Sequence, residues 1–186
     1  MKYTVRSWRP LALSLISLGA TARLIPHPPN FTPVGALGLY SGARLRSWQA
    51  YLIPLAVLAV TDPLLGMIFG FRAFTVLTPF VYLSFLVNVW IGRHLRETRR
   101  AWRIGGAAVV GSAQFFLITN FAVWATGHWY PHILAGLGAC YLLAIPFFAW
   151  TLAGDLLYAG ILFGLHALLS RRYFHEELVG PEPVLS

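Results

Sequence analysis

The stretch AGLGACYLLAIPFFAWTLAGDLLYAGILFGLHALL, Ala135 to Leu169, decides the fold. It contains a single charged residue, Asp155, and runs into Ser170-Arg171-Arg172. A membrane-spanning helix needs about 20 apolar residues, so this run is too long for one crossing. Two crossings would leave Arg171 and Arg172 on the side opposite the other basic clusters, against the positive-inside rule. Both constraints are met by a helix packed at the outer face over Ile133–Phe148, turning near Pro146, followed by a last span over Thr151–Ser170.

The other basic clusters are Lys2, Arg6 and Arg9; Arg44 and Arg46; and Arg93, Arg96, Arg99, Arg100 and Arg103. Placed on the cytoplasmic side, they divide the remaining chain into spans over Pro10–Ile25, Thr32–Ala43, Trp48–Asp62, Phe74–Ile91 and Ile104–Ala125. The first ends at Pro26-His27-Pro28-Pro29-Asn30, and Pro63 predicts a break after the third. The second, only about 18 Å long at 1.5 Å per residue, must be shielded by neighbouring helices or thin the bilayer locally. Ala20-Thr21-Ala22 mimics a signal-peptidase site, but an uncleaved first span fits the alternation of charge. The expected architecture is therefore an all-α membrane protein: a six-transmembrane-helix bundle with an extra external helix before the last span. The bundle fills one domain over 1–175, and 176–186 form a polar tail. Both termini lie in the cytoplasm, and the membrane is the bacterial inner membrane.

Composition agrees. Of 186 residues 58% are hydrophobic and only 11% charged, with mean hydropathy +0.66, whereas soluble domains carry about a quarter charged residues. A net charge of +8 would suggest nucleic acid in a soluble protein. Here the basic residues sit between apolar runs, and no nucleic-acid partner is expected. The lone Cys140 rules out an internal disulfide and a multi-cysteine metal site, and within an apolar run it reads as an inert thiol. Lys2 is the only lysine and no phosphate-binding loop occurs, which excludes an ATPase. His128 and His132 have Pro131 between them, unlike a zincin helix, and no G-x-S-x-G elbow is present. No catalytic residue, cofactor or metal is expected.

Ionisable residues inside spans are costly unless paired or solvated. Arg23, Asp62, Arg72 and Asp155 fall at similar depth, so Arg23, Asp62 and Asp155 are ion-pair candidates that either lock the bundle or bind a polar ligand. His166, near the inner end of the last span, is expected to snorkel to the interface. Thr75, Thr78 and Tyr82 share one helix face, as do Asn120 and Trp124. With Asn30, Arg72, Trp129 and Asp155 they are candidate substrate-binding residues of an externally open, aromatic-walled cavity. The bland reading of the same residues is an interfacial aromatic belt with interhelical hydrogen bonds. Gly38 with Gly42, and Gly160 with Gly164, are G-x-x-x-G pairs suited to helix packing.

The run Ile145-Pro146-Phe147-Phe148-Ala149-Trp150-Thr151-Leu152-Ala153-Gly154-Asp155-Leu156-Leu157 resembles the substrate-binding S components of energy-coupling-factor (ECF) vitamin transporters. The biotin-type members are most similar, at Pro146, Phe147, Gly154, Asp155 and Leu156; Tyr158 stands where those proteins usually carry a lysine. Asp62 to Arg93 is similar to the solitary cobalamin transporters of the same superfamily, with Thr75 in the region of their cobalt-contacting cysteine. Arg23 to Ala36 looks most like an uncharacterised bacterial family of small integral membrane proteins, a likeness that extends over most of the chain. The S-component resemblance implies capture of a vitamin-like small molecule from outside, and docking on an ECF-type coupling module. The A-x-x-x-A docking pattern is absent from span 1, where Ala12 is followed four places on by Ile16 and Ala20 by Leu24.

The expected function is thus a membrane transport protein, with lipid and a small organic micronutrient as partners. The competing expectations are a membrane-embedded enzyme acting on a lipid or isoprenoid through Asp62 and Asp155, and a non-catalytic assembly factor using the glycine faces.

Overall fold

The computed structural model describes residues 9–173 apart from 97 and 99, so that Lys2, Arg6, Arg99 and the tail 176–186 lie outside the described residues. Six helices follow one another: α1 Pro10–Ala22, α2 Val34–Arg44, α3 Ser47–Phe69, α4 Thr78–Arg93, α5 Ala101–Thr126 and α6 Leu134–Tyr173. Three of them, α3, α5 and α6, are long and apolar enough to cross a membrane. Large apolar side chains project outward from all three, among them Val60, Met67, Leu117 and Leu142, a surface suited to lipid on helices of this length and hydropathy. Trp48, Trp90 and Trp102 are exposed at the arginine-rich end, where indole rings favour the headgroup level. These features make the chain a membrane protein.

Three elements differ from the sequence-based expectation. The stretch 134–173 is one helix of 40 residues, with Pro146 inside it. The separate external helix over Ile133–Phe148 therefore does not exist, and α6 extends for about 60 Å, twice the hydrocarbon thickness of about 30 Å. Pro146 removes one backbone donor, but packing against α5 holds the axis on both sides of it. Before it, Tyr141 donates to the Leu117 carbonyl at 2.8 Å; after it, Phe148 packs on Phe116, whose ring also meets Tyr141; further on, Ser112 reaches Asp155. Likewise α3 does not break at Pro63. It runs 23 residues through Pro54 and Pro63 and ends where Gly70, at φ 74°, takes the left-handed conformation that closes a helix. At its start α4 begins at Thr78 rather than Phe74, because Thr75 and Thr78 form a local turn in which the Thr75 N–H donates to Thr78 Oγ1.

The organising element is the shortest. All 11 residues of α2 are buried, and it touches each of the other five helices. A short helix can be central because glycines let its neighbours in. A Cβ on Gly42 would stand 2.0 Å from the Val89 carbonyl oxygen, and one on Gly92 of α4 would stand 2.1 Å from that of Leu39. Gly38 faces Asn88 less tightly, a Cβ there standing 3.0 Å from the Asn88 Cβ. Backbone thus meets backbone along α2 and α4, the close approach that small residues permit in membranes. Gly160 and Gly164 differ: a Cβ at either would meet nothing within 4 Å, so among the described residues this second pair packs against no other helix. The main core, including Ile16, Leu39, Tyr40, Val89 and Phe163, surrounds α2.

Candidate functional site

A helix buried at both ends has orphan N–H groups at one terminus and orphan carbonyls at the other, with no water to satisfy them. Asp155 meets the first need. It is 3% exposed, accepts a hydrogen bond from Ser112 Oγ at 2.7 Å, and accepts another from the Ala36 backbone N–H in the first turn of α2. A Cβ on Gly35 would lie 2.2 Å from Asp155 Oδ1, so the carboxylate approaches the helix start at a point where only glycine fits. A negative group at this position also faces the positive end of the helix dipole. Asp155 is therefore not gathered with Arg23 and Asp62; its partners tie α6 and α5 to α2.

Arginines serve the opposite end. Arg9 donates to the Arg44 carbonyl at 2.6 Å and Arg96 to the Leu45 carbonyl at 3.4 Å. Arg44 donates in turn to the Arg96 carbonyl at 3.0 Å, its guanidinium 5.3 Å from the centre of the Phe163 ring. His166 does not reach the surface. It is 6% exposed and shares a 2.7 Å hydrogen bond with the hydroxyl of Tyr40 on α2, so the interfacial role expected for it gives way to a buried one.

Between these ends lies a polar cluster that spacing alone did not single out. Gln114 Nε2 donates to Asn88 Oδ1 at 3.0 Å and to the Ser84 carbonyl at the same distance. Asn88 is 1% exposed. Its Nδ2, and the Oε1 of Gln114, are buried and have no hydrogen-bond partner. A donor and an acceptor thus remain unmatched where α2, α4 and α5 meet, each carrying a desolvation cost of about 1–3 kcal/mol. The available signal was that Asn88 and Gln114 are neutral amides in the middle of apolar runs, a position where amides bond across helices.

At the end opposite the arginine clusters, Arg23, which caps the C-terminus of α1, forms an ion pair with Asp62 of α3 at 2.6 Å, and also donates to Thr61 Oγ1. Tyr82 of α4 donates to the other Asp62 oxygen at 2.9 Å. Three helices are joined there. Among the remaining candidate substrate residues, the structure does not bring a single cavity together. Asn30 is an exposed turn residue at φ 65°, a conformation asparagine tolerates. Arg72, Thr75 and Trp129 are exposed, and the Thr75 and Thr78 side chains cap the turn before α4. Asn120 donates to the Phe116 carbonyl of its own helix, and Trp124 to the Pro131 carbonyl. Among the described residues no three of His, Cys, Asp and Glu come together as a metal site, and Cys140 is free and buried.

Neither a curated protein nor a solved structure matches the chain. The model of a family of unknown function, DUF6580, matches residues 4–182, nearly the full length, and the chain belongs to that family.

Proposed function

We propose that the protein is a membrane transporter that takes a small, polar, vitamin-like organic molecule at its external face and carries it across the bacterial inner membrane. In this reading all six helices cross or enter the bilayer, and the arginine-rich end with both termini is cytoplasmic. The observation that carries the proposal is the unmatched pair at Asn88 Nδ2 and Gln114 Oε1. Polar groups held dry inside a membrane bundle are costly when unpartnered, and an amide or heterocycle carries the acceptor and the donor that the two atoms lack. The Arg23–Asp62–Tyr82 cluster lies above this pair, as an outer gate whose opening separates α1 and α3 from α4. The short, enclosed α2 supports the same reading, since half-length helices buried among long ones recur in transporters. The missing A-x-x-x-A pattern favours a protein that works without the shared ECF-type coupling module.

Native mass spectrometry of the detergent-purified protein, incubated with a mixture of water-soluble vitamins, tests the proposal. A single vitamin mass at 1:1 stoichiometry that is lost in Asn88→Leu and in Gln114→Leu is expected. Retention of no vitamin, or undiminished retention by both variants, overturns it.

A further inference from the structure

Near the arginine-rich end residues of α5 and α6 line a common cavity. Higher up, Ser112 reaches Asp155 and Tyr141 reaches the Leu117 carbonyl. Lower down, a cavity of about 270 Å³ opens between the helices, lined by Gly105, Gly160, Gly164, Phe163, Arg44 and Thr98 among others. A Cβ at Gly160 or Gly164 would meet nothing within 4 Å, and both glycines are exposed, so the groove opens sideways from the bundle. It has room for about nine groups of water size, at about 30 Å³ each, but its walls offer water few hydrogen-bond partners. A hydrocarbon chain fits that description.

The mouth has a different character. Thr98 accepts a hydrogen bond from Arg103 at 3.3 Å. Arg100 and Arg103 are exposed and flank in sequence the lining residues Thr98, Ala101 and Ile104, and the segment 93–103 holds five arginines against one glutamate. Exposed Trp102 and Trp90 place this level at the membrane interface. A helix of another protein would match the groove and leave the cations unused. A molecule with an apolar tail and a negative head matches both, because guanidinium groups recognise phosphate by paired hydrogen bonds.

We propose that the groove between α5 and α6 seats one acyl chain of an anionic phospholipid, whose phosphate is held at the mouth by Arg100 and Arg103. This site is independent of the transport reading.

The test is native mass spectrometry of the full chain in detergent, titrated with dioleoylphosphatidylglycerol or with dioleoylphosphatidylcholine. Half-saturation by the anionic lipid at a concentration at least about tenfold lower than for the zwitterionic one is expected. Gly160→Leu/Gly164→Leu fills open space, and should reduce anionic binding to the zwitterionic level while the monomer keeps its melting temperature. Arg100→Gln/Arg103→Gln changes two exposed side chains and removes one hydrogen bond, that of Arg103 to Thr98. It should erase the headgroup preference without abolishing lipid adducts, which keeps the proposal testable should the leucine variant misfold. Equal binding of the two lipids by the wild type overturns it. So does full anionic binding by a folded leucine variant, or a dimer mass that the leucine variant loses with lipid binding unchanged, since the groove is then a seat for a second copy.

Discussion

Removing the Asp155 carboxylate tests whether α2 is held from its first turn. Asp155→Ala deletes the acceptor for Ser112 Oγ and for the Ala36 N–H, both in a site 3% exposed. Hydrogen bonds to charged groups contribute about 1.5–3 kcal/mol each in soluble proteins, which sets an upper value of about 6 kcal/mol. Polar contacts measured inside membranes average about 0.6 kcal/mol, because the unfolded chain in the bilayer finds other partners, and two of them set a lower value of about 1.2 kcal/mol. The Ala36 N–H belongs to a helix start that has little else to bond, so we expect about 3 kcal/mol. Asp155→Asn keeps one acceptor oxygen and should lose about half as much. The second arm is Gly35→Ala, whose Cβ would stand 2.2 Å from Asp155 Oδ1. Overpacking of that kind costs about 1–3 kcal/mol, and the cost should largely vanish once the carboxylate is gone. Reversible unfolding by dodecyl sulfate in mixed micelles measures all four corners of the cycle. A loss below about 1 kcal/mol in Asp155→Ala, or an equal cost of Gly35→Ala in both backgrounds, refutes the role assigned to the carboxylate.

Three further predictions use the same assay or its simpler variants. Arg23→Gln and Asp62→Asn should each destabilise by about 1–3 kcal/mol, since each leaves its partner partly buried and unpaired, and the double variant should recover part of the loss. Gly92→Leu should abolish monodisperse elution on size-exclusion chromatography, because its side chain would enter the Leu39 carbonyl, whereas Gly106→Ala, with nothing within 4 Å, should elute like the wild type and gain up to about 1 kcal/mol in helix propensity. Tyr40→Phe leaves His166 Nδ1 without its hydroxyl partner in a buried site and should cost about 1–3 kcal/mol; no change in unfolding would show that this hydrogen bond contributes nothing net.

How much of this was legible in the sequence depends on whether the signal was local. Hydrophobic runs between arginine clusters located the first five helices and the apolar stretch of the sixth, which they divided in two, because apolar length is a local property. The path of the chain through Pro63 and Pro146 was not readable. Whether a proline ends a helix depends on whether a neighbour holds the axis straight, and that neighbour for Pro146 is α5, some 30 residues earlier. Arg23 and Asp62 stood out because a charge in an apolar run needs an opposite charge. Asp155 stood out for the same reason, yet its partners are a hydroxyl and a backbone N–H, which no charge count reveals. The two glycine pairs look alike in sequence, and only the packing of α4 on α2 separates Gly38 and Gly42 from Gly160 and Gly164. Asn88 and Gln114 do not stand out in the sequence, because a single amide in an apolar run carries no periodic signature.

The composition of the basic residues follows from the same geometry. One lysine stands against thirteen arginines, although either residue would satisfy the positive-inside rule. The difference lies in what the charge must do at the end of α2. The carbonyls there are buried, and side chains from segments 35 and 51 residues away in sequence reach them. An ammonium is a compact, strongly hydrated point charge, and drawing it below the interface forfeits its water. A guanidinium is more weakly hydrated, and its planar fork lets one group bond a carbonyl while its face rests on an aromatic ring, as Arg44 does against the Arg96 carbonyl and Phe163. That is why Arg44, a loop residue by sequence pattern, is only 8% exposed. Asp155 at the start of α2 and arginines at its end place opposite charges at the two poles of one helix dipole, so at this end part of the chain's positive charge is committed to holding its own central helix.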